Sequence, residues 1–116
     1  MPSKSPAQRL RDIVENIEAI VSFTQGLNQA QLAADRKTLY AVVRALEIIS
    51  EASRRLPREI LDRHPALDWP AIAAAGNIYR HEYDVVDEAL IWHTVQNDLA
   101  GLRQVAAEEL ERVNRD

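Results

Sequence analysis

Apolar residues recur every three or four positions along three long stretches of this chain, a period that permits little except amphipathic helices packed on one another. In the first stretch Leu10, Ile13, Val14, Ile17, Ile20, Val21 and Thr24 share one side, with Arg9, Arg11, Asp12, Glu15 and Glu18 between them. In the second, Leu39, Val42, Val43, Leu46, Ile49, Ser53 and Leu56 follow Asp35, a residue suited to accept hydrogen bonds from first-turn amides. In the third, Ile91, Val95, Leu99, Leu102, Ala106, Leu110 and Val113 form the stripe. Its polar side holds Glu108, Glu109, Glu111 and Arg112, and the pattern predicts one last helix starting near Asp84 or Asp87.

Proline and glycine mark the joints. The first helix opens at Pro6 and stops near Gly26, and residues 27–33 read as a short helical turn or structured connector. Pro57 opens a short helix over Arg58 to Arg63, and Pro65 closes it before a loop that ends at Asp68-Trp69-Pro70. The stretch from Ile72 to Arg80 is preceded by Ala71 and contains Ala73, Ala74, Ala75 and Gly76, so it reads as a buried helix whose backbone lies close to a neighbour. A lone helix cannot hide its stripe, and burial at ~25 cal/mol per Å² of apolar area drives the stripes together. Short connections make them antiparallel neighbours. The expected fold is all-α, an up-down bundle of four main helices plus short ones, in a single domain over residues 1–116 with 1–5 as a flexible tail.

Composition excludes several function classes. The absence of cysteine removes disulfides, thiolate metal ligands and a cysteine nucleophile, and is compatible with a reducing cytoplasm, the expected location. The amino terminus lacks an apolar leader and no window approaches the ~18 apolar residues of a membrane span, so neither secretion nor membrane insertion is expected. His64, His93 and His81 show no metal-ligand spacing, and neither a metal nor another cofactor is expected. A formal charge of -4 and a pI near 5.4 repel nucleic acid overall, so an RNA role requires a local basic pocket.

Chemistry concentrates in Gly76-Asn77-Ile78-Tyr79-Arg80-His81-Glu82-Tyr83. Asn77 and His81 are four apart, hence stacked on one helical face, and Arg80 lies beside that face. An imidazole exchanges protons near neutrality, and a guanidinium holds a phosphate through charge-assisted hydrogen bonds. Metal-independent RNA cleavage needs a base for the 2′-hydroxyl, an acid for the leaving oxygen and donors for the phosphorane charge. One histidine in the segment cannot readily serve as both, whereas a symmetric dimer supplies two.

Residue types alone leave a plainer reading open. Asn77 and His81 can be structural hydrogen-bonding groups, and Arg80 can pair with Glu82, Asp84 or the acids of the last helix. Glu47 and Glu51 lie near Arg44, Arg54 and Arg55, and serve either as local ion pairs on a solvated face or as interior groups that orient Arg80 or Asn77. His64, before Pro65, reads as a surface residue, and His93 as packed or partly exposed. Trp69 and Trp92 read as anchors of the core or of an interface.

At these residues the chain resembles the HEPN domains, and among them the HepT-like toxins that accompany a minimal nucleotidyltransferase antitoxin. The resemblance covers nearly the whole chain. It is carried by Arg11-Asp12-Ile13, by Leu32 through Thr38, by Val43 through Ala52, by Gly76-Asn77 through His81-Glu82-Tyr83, and by Ile91 through Val95 with Asn97-Asp98-Leu99. It implies a homodimeric bundle with a cleft at the dimer axis, metal-independent endoribonuclease activity on RNA, and a type VII toxin–antitoxin pairing. The family motif is Arg-x4-His-x-Tyr with a polar residue after the arginine. His81, Tyr83 and Asn77 match it, whereas Gly76 stands in the arginine's place. Tyr83 is the implied acceptor of a nucleoside monophosphate from the antitoxin, and Arg80 is the nearest guanidinium to replace the missing one. The departure at Gly76 leaves a second implied function, a catalytically degenerate HEPN module that pairs with a nucleotidyltransferase or binds nucleotide without cleaving RNA.

Overall fold

The computed structural model describes residues 5–81 and 88–115, and side chains for 5–76 and 88–115. Within them the chain forms only helices: α1 (Pro6–Thr24), α2 (Gln29–Ala34), α3 (Arg36–Arg54), α4 (Arg58–Arg63), α5 (Trp69–His81), α6 (Glu88–Asn97) and α7 (Leu99–Arg115). The expected all-α bundle is what forms. Helix α1 packs against α3 and α7, and α3 also packs against α5.

Local chemistry sets the helix ends. Ser5, assigned by sequence to the tail, accepts from the Gln8 amide at 3.2 Å, and Pro6 follows where its missing N–H is no loss. Gly26 turns the chain with φ +79°, a conformation that favours glycine. Asn28 and Gln31 exchange side-chain and backbone hydrogen bonds in a capping box that starts α2. The Asp35 carboxylate accepts from both the hydroxyl and the amide of Thr38, which starts α3 and holds that carboxyl below its ordinary pKa.

The stripes meet as their periods require. Leu10, Ile13, Ile17 and Ile20 of α1 face Leu39, Val42, Leu46 and Ile49 of α3 and Leu99, Leu102 and Ala106 of α7 in one buried cluster. Each leucine, isoleucine or valine among them contributes roughly 1.5–3 kcal/mol by leaving water. Val21 is the exception on α1. Ile20 takes the inward position, and its neighbour, turned about 100° away by the helical period, stands 57% exposed.

Five expectations need correction. The single last helix is two, because Asp98 interrupts it: the Asn97 side chain donates to the His93 carbonyl at 3.0 Å, and the next backbone contact, from the Leu102 amide to the Asp98 carbonyl, stretches to 3.5 Å. The predicted start at Asp84 or Asp87 lies outside the described residues. Trp69 and Pro70 belong to α5, since the Asp68 carboxylate accepts from the Ala71 amide at 3.1 Å and begins the helix there. Over its described side chains helix α5 is buried on one side only, with Ala71 and Ala74 exposed. Finally, Glu109 is not on a polar side and His64 is not a free surface residue. Glu109 is 1% exposed, and His64 lies 2.6 Å from it.

Candidate functional site

The motif turn is the carboxyl-terminal end of α5, so the site begins with what holds that helix. At its amino end, Trp69 is buried and its indole Nε1 donates to the His64 carbonyl at 3.0 Å. His64 is tied in turn to α7, where Glu109 accepts from Arg63 through Nη2 at 2.6 Å and Nε at 3.0 Å and meets His64 Nε2. Arg112 stands 3.7 Å away on the same helix. Those bonds, Arg63's foremost, hold the Glu109 carboxyl at a pKa of about 2 against burial, which pushes the other way. A buried carboxylate in this position fixes the α4–α5 junction to α7.

Midway along α5 a second contact comes from α3. The Ser50 hydroxyl, buried between the helices, accepts from the Gly76 amide at 2.9 Å and lies 2.8 Å from the Ile72 carbonyl and 2.9 Å from that of Ala73. Gly76 is buried beside it. Asn77, Arg80 and His81 follow within the helix, in its last turns, with side chains beyond the described set. Tyr83 lies outside the described residues.

Glu47 and Glu51 sit one turn apart on α3. They line a polar cleft of about 410 Å³ between α1 and α3, together with Arg9, Asp12, Arg44 and Arg54. Glu47 pairs with Arg44 at 3.4 Å. Glu51 accepts from Arg54 and, at 3.0 Å, from Arg55, and these bonds hold its carboxyl below the ordinary value. Both acids are therefore engaged with arginines of their own helix. His93 is exposed, its Nδ1 3.1 Å from the Asn97 amide, and Trp92 packs half-buried against the core.

Three residues that matter to the site escaped sequence reasoning. Glu109 had a legible signal: Leu99, Leu102, Ala106, Glu109 and Val113 run in steps of three and four, so the acid occupies a core register. Ser50 lies next to Ile49 and four after Leu46, on the apolar side of its helix. His64 had no comparable mark.

Residues 13–109 match the ribonuclease HepT-like family, a span that includes α5 and the Glu109 anchor. The chain belongs to that family. Among HepT-like relatives, a protein of Thermococcus cleftensis named "Probable ribonuclease HepT" is 38% identical over 100 residues, covering 86% of this chain and 91% of that one. A "Putative RNase" of Methanocaldococcus jannaschii is 31% identical over 109 residues, with 90% of each chain covered. Another, from Caldanaerobacter subterraneus subsp. tengcongensis, is 30% identical over 109 residues, covering 94% of this chain and 97% of its own. No solved structure gives a significant match. Among the described residues of this HepT-like chain, no helix is long and apolar enough to cross a membrane.

Proposed function

We propose that this chain is a metal-independent endoribonuclease that acts as a homodimer, the toxin of a type VII toxin–antitoxin pair. The observation that carries the reading is the ribonuclease HepT-like match over residues 13–109, with a histidine and a tyrosine, His81 and Tyr83, at the two motif positions that follow α5's glycine. Each protomer contributes one His81, so across a two-fold axis one imidazole takes the 2′-hydroxyl proton while its twin, protonated, gives a proton to the leaving 5′-oxygen. The 2′-oxygen forms its bond to phosphorus as the 5′-oxygen leaves, and no proton is left uncounted. Arg80 stabilises the charge that develops on the phosphate and Asn77 orients it. In this reading Glu47 and Glu51 of α3 serve as supporting acids.

In this reading a minimal nucleotidyltransferase is the cognate antitoxin and Tyr83 the acceptor of its nucleoside monophosphate. The added phosphate charge beside His81 repels an RNA phosphate. The chain and its His81→Ala variant, expressed without an antitoxin, test the proposal. The wild type is expected to arrest growth and, purified, to cleave RNA as a dimer by light scattering, whereas the variant does neither. Equal growth and no cleavage by a dimeric wild type sink it.

One observation favours a second reading. Gly76 occupies the motif arginine's place and is buried, its amide occupied by Ser50. A degenerate HEPN module that retains the dimer and the nucleotidyltransferase partner without turnover accommodates that departure. It predicts stable binding of the partner by both wild type and His81→Ala, with no cleavage by either.

A further inference from the structure

We propose that Ser50 is a positioning residue for the motif turn of α5, a role that rests on the ribonuclease reading above. Apolar contacts between two helices are non-directional and leave one free to rotate or slide by a fraction of a turn. A buried hydrogen bond is directional and does not. Ser50 is 4% exposed. Its hydroxyl is aimed across the interface, although serines inside helices commonly bond back to a carbonyl of their own helix. Its oxygen accepts from the Gly76 amide, and its one proton is shared between the Ile72 and Ala73 carbonyls, so all three partners belong to a single stretch of α5.

The consequence lies further along the same helix. At 1.5 Å of rise per residue, the His81 backbone stands only about 7.5 Å beyond Gly76. Whatever sets the rotation of α5 at Gly76 therefore sets the direction in which the next turn presents Asn77, Arg80 and His81. The junction at Trp69 holds the other end, and among the described residues Ser50 is the polar contact nearest the motif. Helix α3 also supplies an internal control. Ser53, three residues on and 2% exposed, has a buried hydroxyl with no hydrogen-bond partner among the described residues. Burial of a serine on this helix is thus not what singles out Ser50.

The test uses the full-length chain as wild type, Ser50→Ala, Ser50→Thr, Ser53→Ala and His81→Ala. Cleavage of RNA gives kcat and KM, and amide hydrogen exchange follows Gly76 and the turn after it. Ser50→Ala is expected to lower kcat by ~10- to 100-fold, in line with the cost of a small misplacement of reacting groups. KM should stay near the wild-type value and exchange at Gly76 should quicken. Ser50→Thr keeps the hydroxyl and restores kcat, and Ser53→Ala behaves as wild type. If Ser50→Ala cleaves at the wild-type rate while His81→Ala is inactive, the positioning role is overturned and the ribonuclease reading stands. If neither wild type nor His81→Ala cleaves, the ribonuclease reading falls, and exchange decides Ser50 alone: unchanged protection at Gly76 in Ser50→Ala overturns its hold on α5. Should Ser50→Thr fail to fold, kcat and exchange of Ser50→Ala against Ser53→Ala decide the matter.

Discussion

Arg63 and Glu109 stand 46 positions apart and meet through two hydrogen bonds, the shorter of them 2.6 Å. The acid is buried at 1% exposure, and its other oxygen is also shared with His64, so the pair joins α4 and the entry to α5 to the last helix. Removing the guanidinium leaves a buried carboxylate with fewer partners, which costs ~1–3 kcal/mol. Arg63→Ala is expected to lower the urea midpoint accordingly. Because the loss falls at the junction that seats Trp69, RNA cleavage should weaken as well. A midpoint equal to wild type would mean that His64 and Arg112 satisfy Glu109 without it.

The same carboxylate gives stability a dependence on acid. Its pKa in the folded chain is about 2, below the ordinary 4.5. A depressed carboxylate stabilises the fold fully above the ordinary value, and that contribution is lost as pH falls through the folded value. Glu109→Gln is therefore less stable than wild type at neutral pH, and the gap should close between about pH 4.5 and 2. Urea unfolding of both chains across that window checks it, and a gap independent of pH would show that shape rather than charge is what the site requires.

Truncation in the core has a different signature. Ile13 is fully buried where α1 meets its neighbours, and Ile13→Ala is expected to cost roughly 2–5 kcal/mol at any pH. Asp35→Ala removes the cap of α3 and should lower stability by less than that. Thermal unfolding of the two variants ranks them, with the cavity outweighing the cap.

In the proposed mechanism, two copies of one imidazole in opposite protonation states give RNA cleavage a bell-shaped pH profile. Mixed dimers of wild-type and His81→Ala protomers should then lose most of their activity, since either role lacks its group. Cleavage rates of wild-type, mixed and variant dimers measured against pH test this, and a mixed dimer with half the wild-type rate would place a complete site within one protomer.

The helices and most of their ends are legible in the residues alone. Periodic apolar residues, the carboxylate of Asp35 and the glycine at position 26 act through neighbours a turn away, so their effects are local and legible. The motif from Gly76 to Tyr83 was readable for the same reason, as contiguous residue types. That Glu109 turns inward to Arg63 and His64, that Ser50 reaches α5, and that the last stripe breaks at Asp98 emerge only once the helices are assembled. Most of these outcomes depend on which atoms face a side chain across an interface. A hydroxyl 26 positions from Gly76 finds its partner only once the two helices are packed side by side.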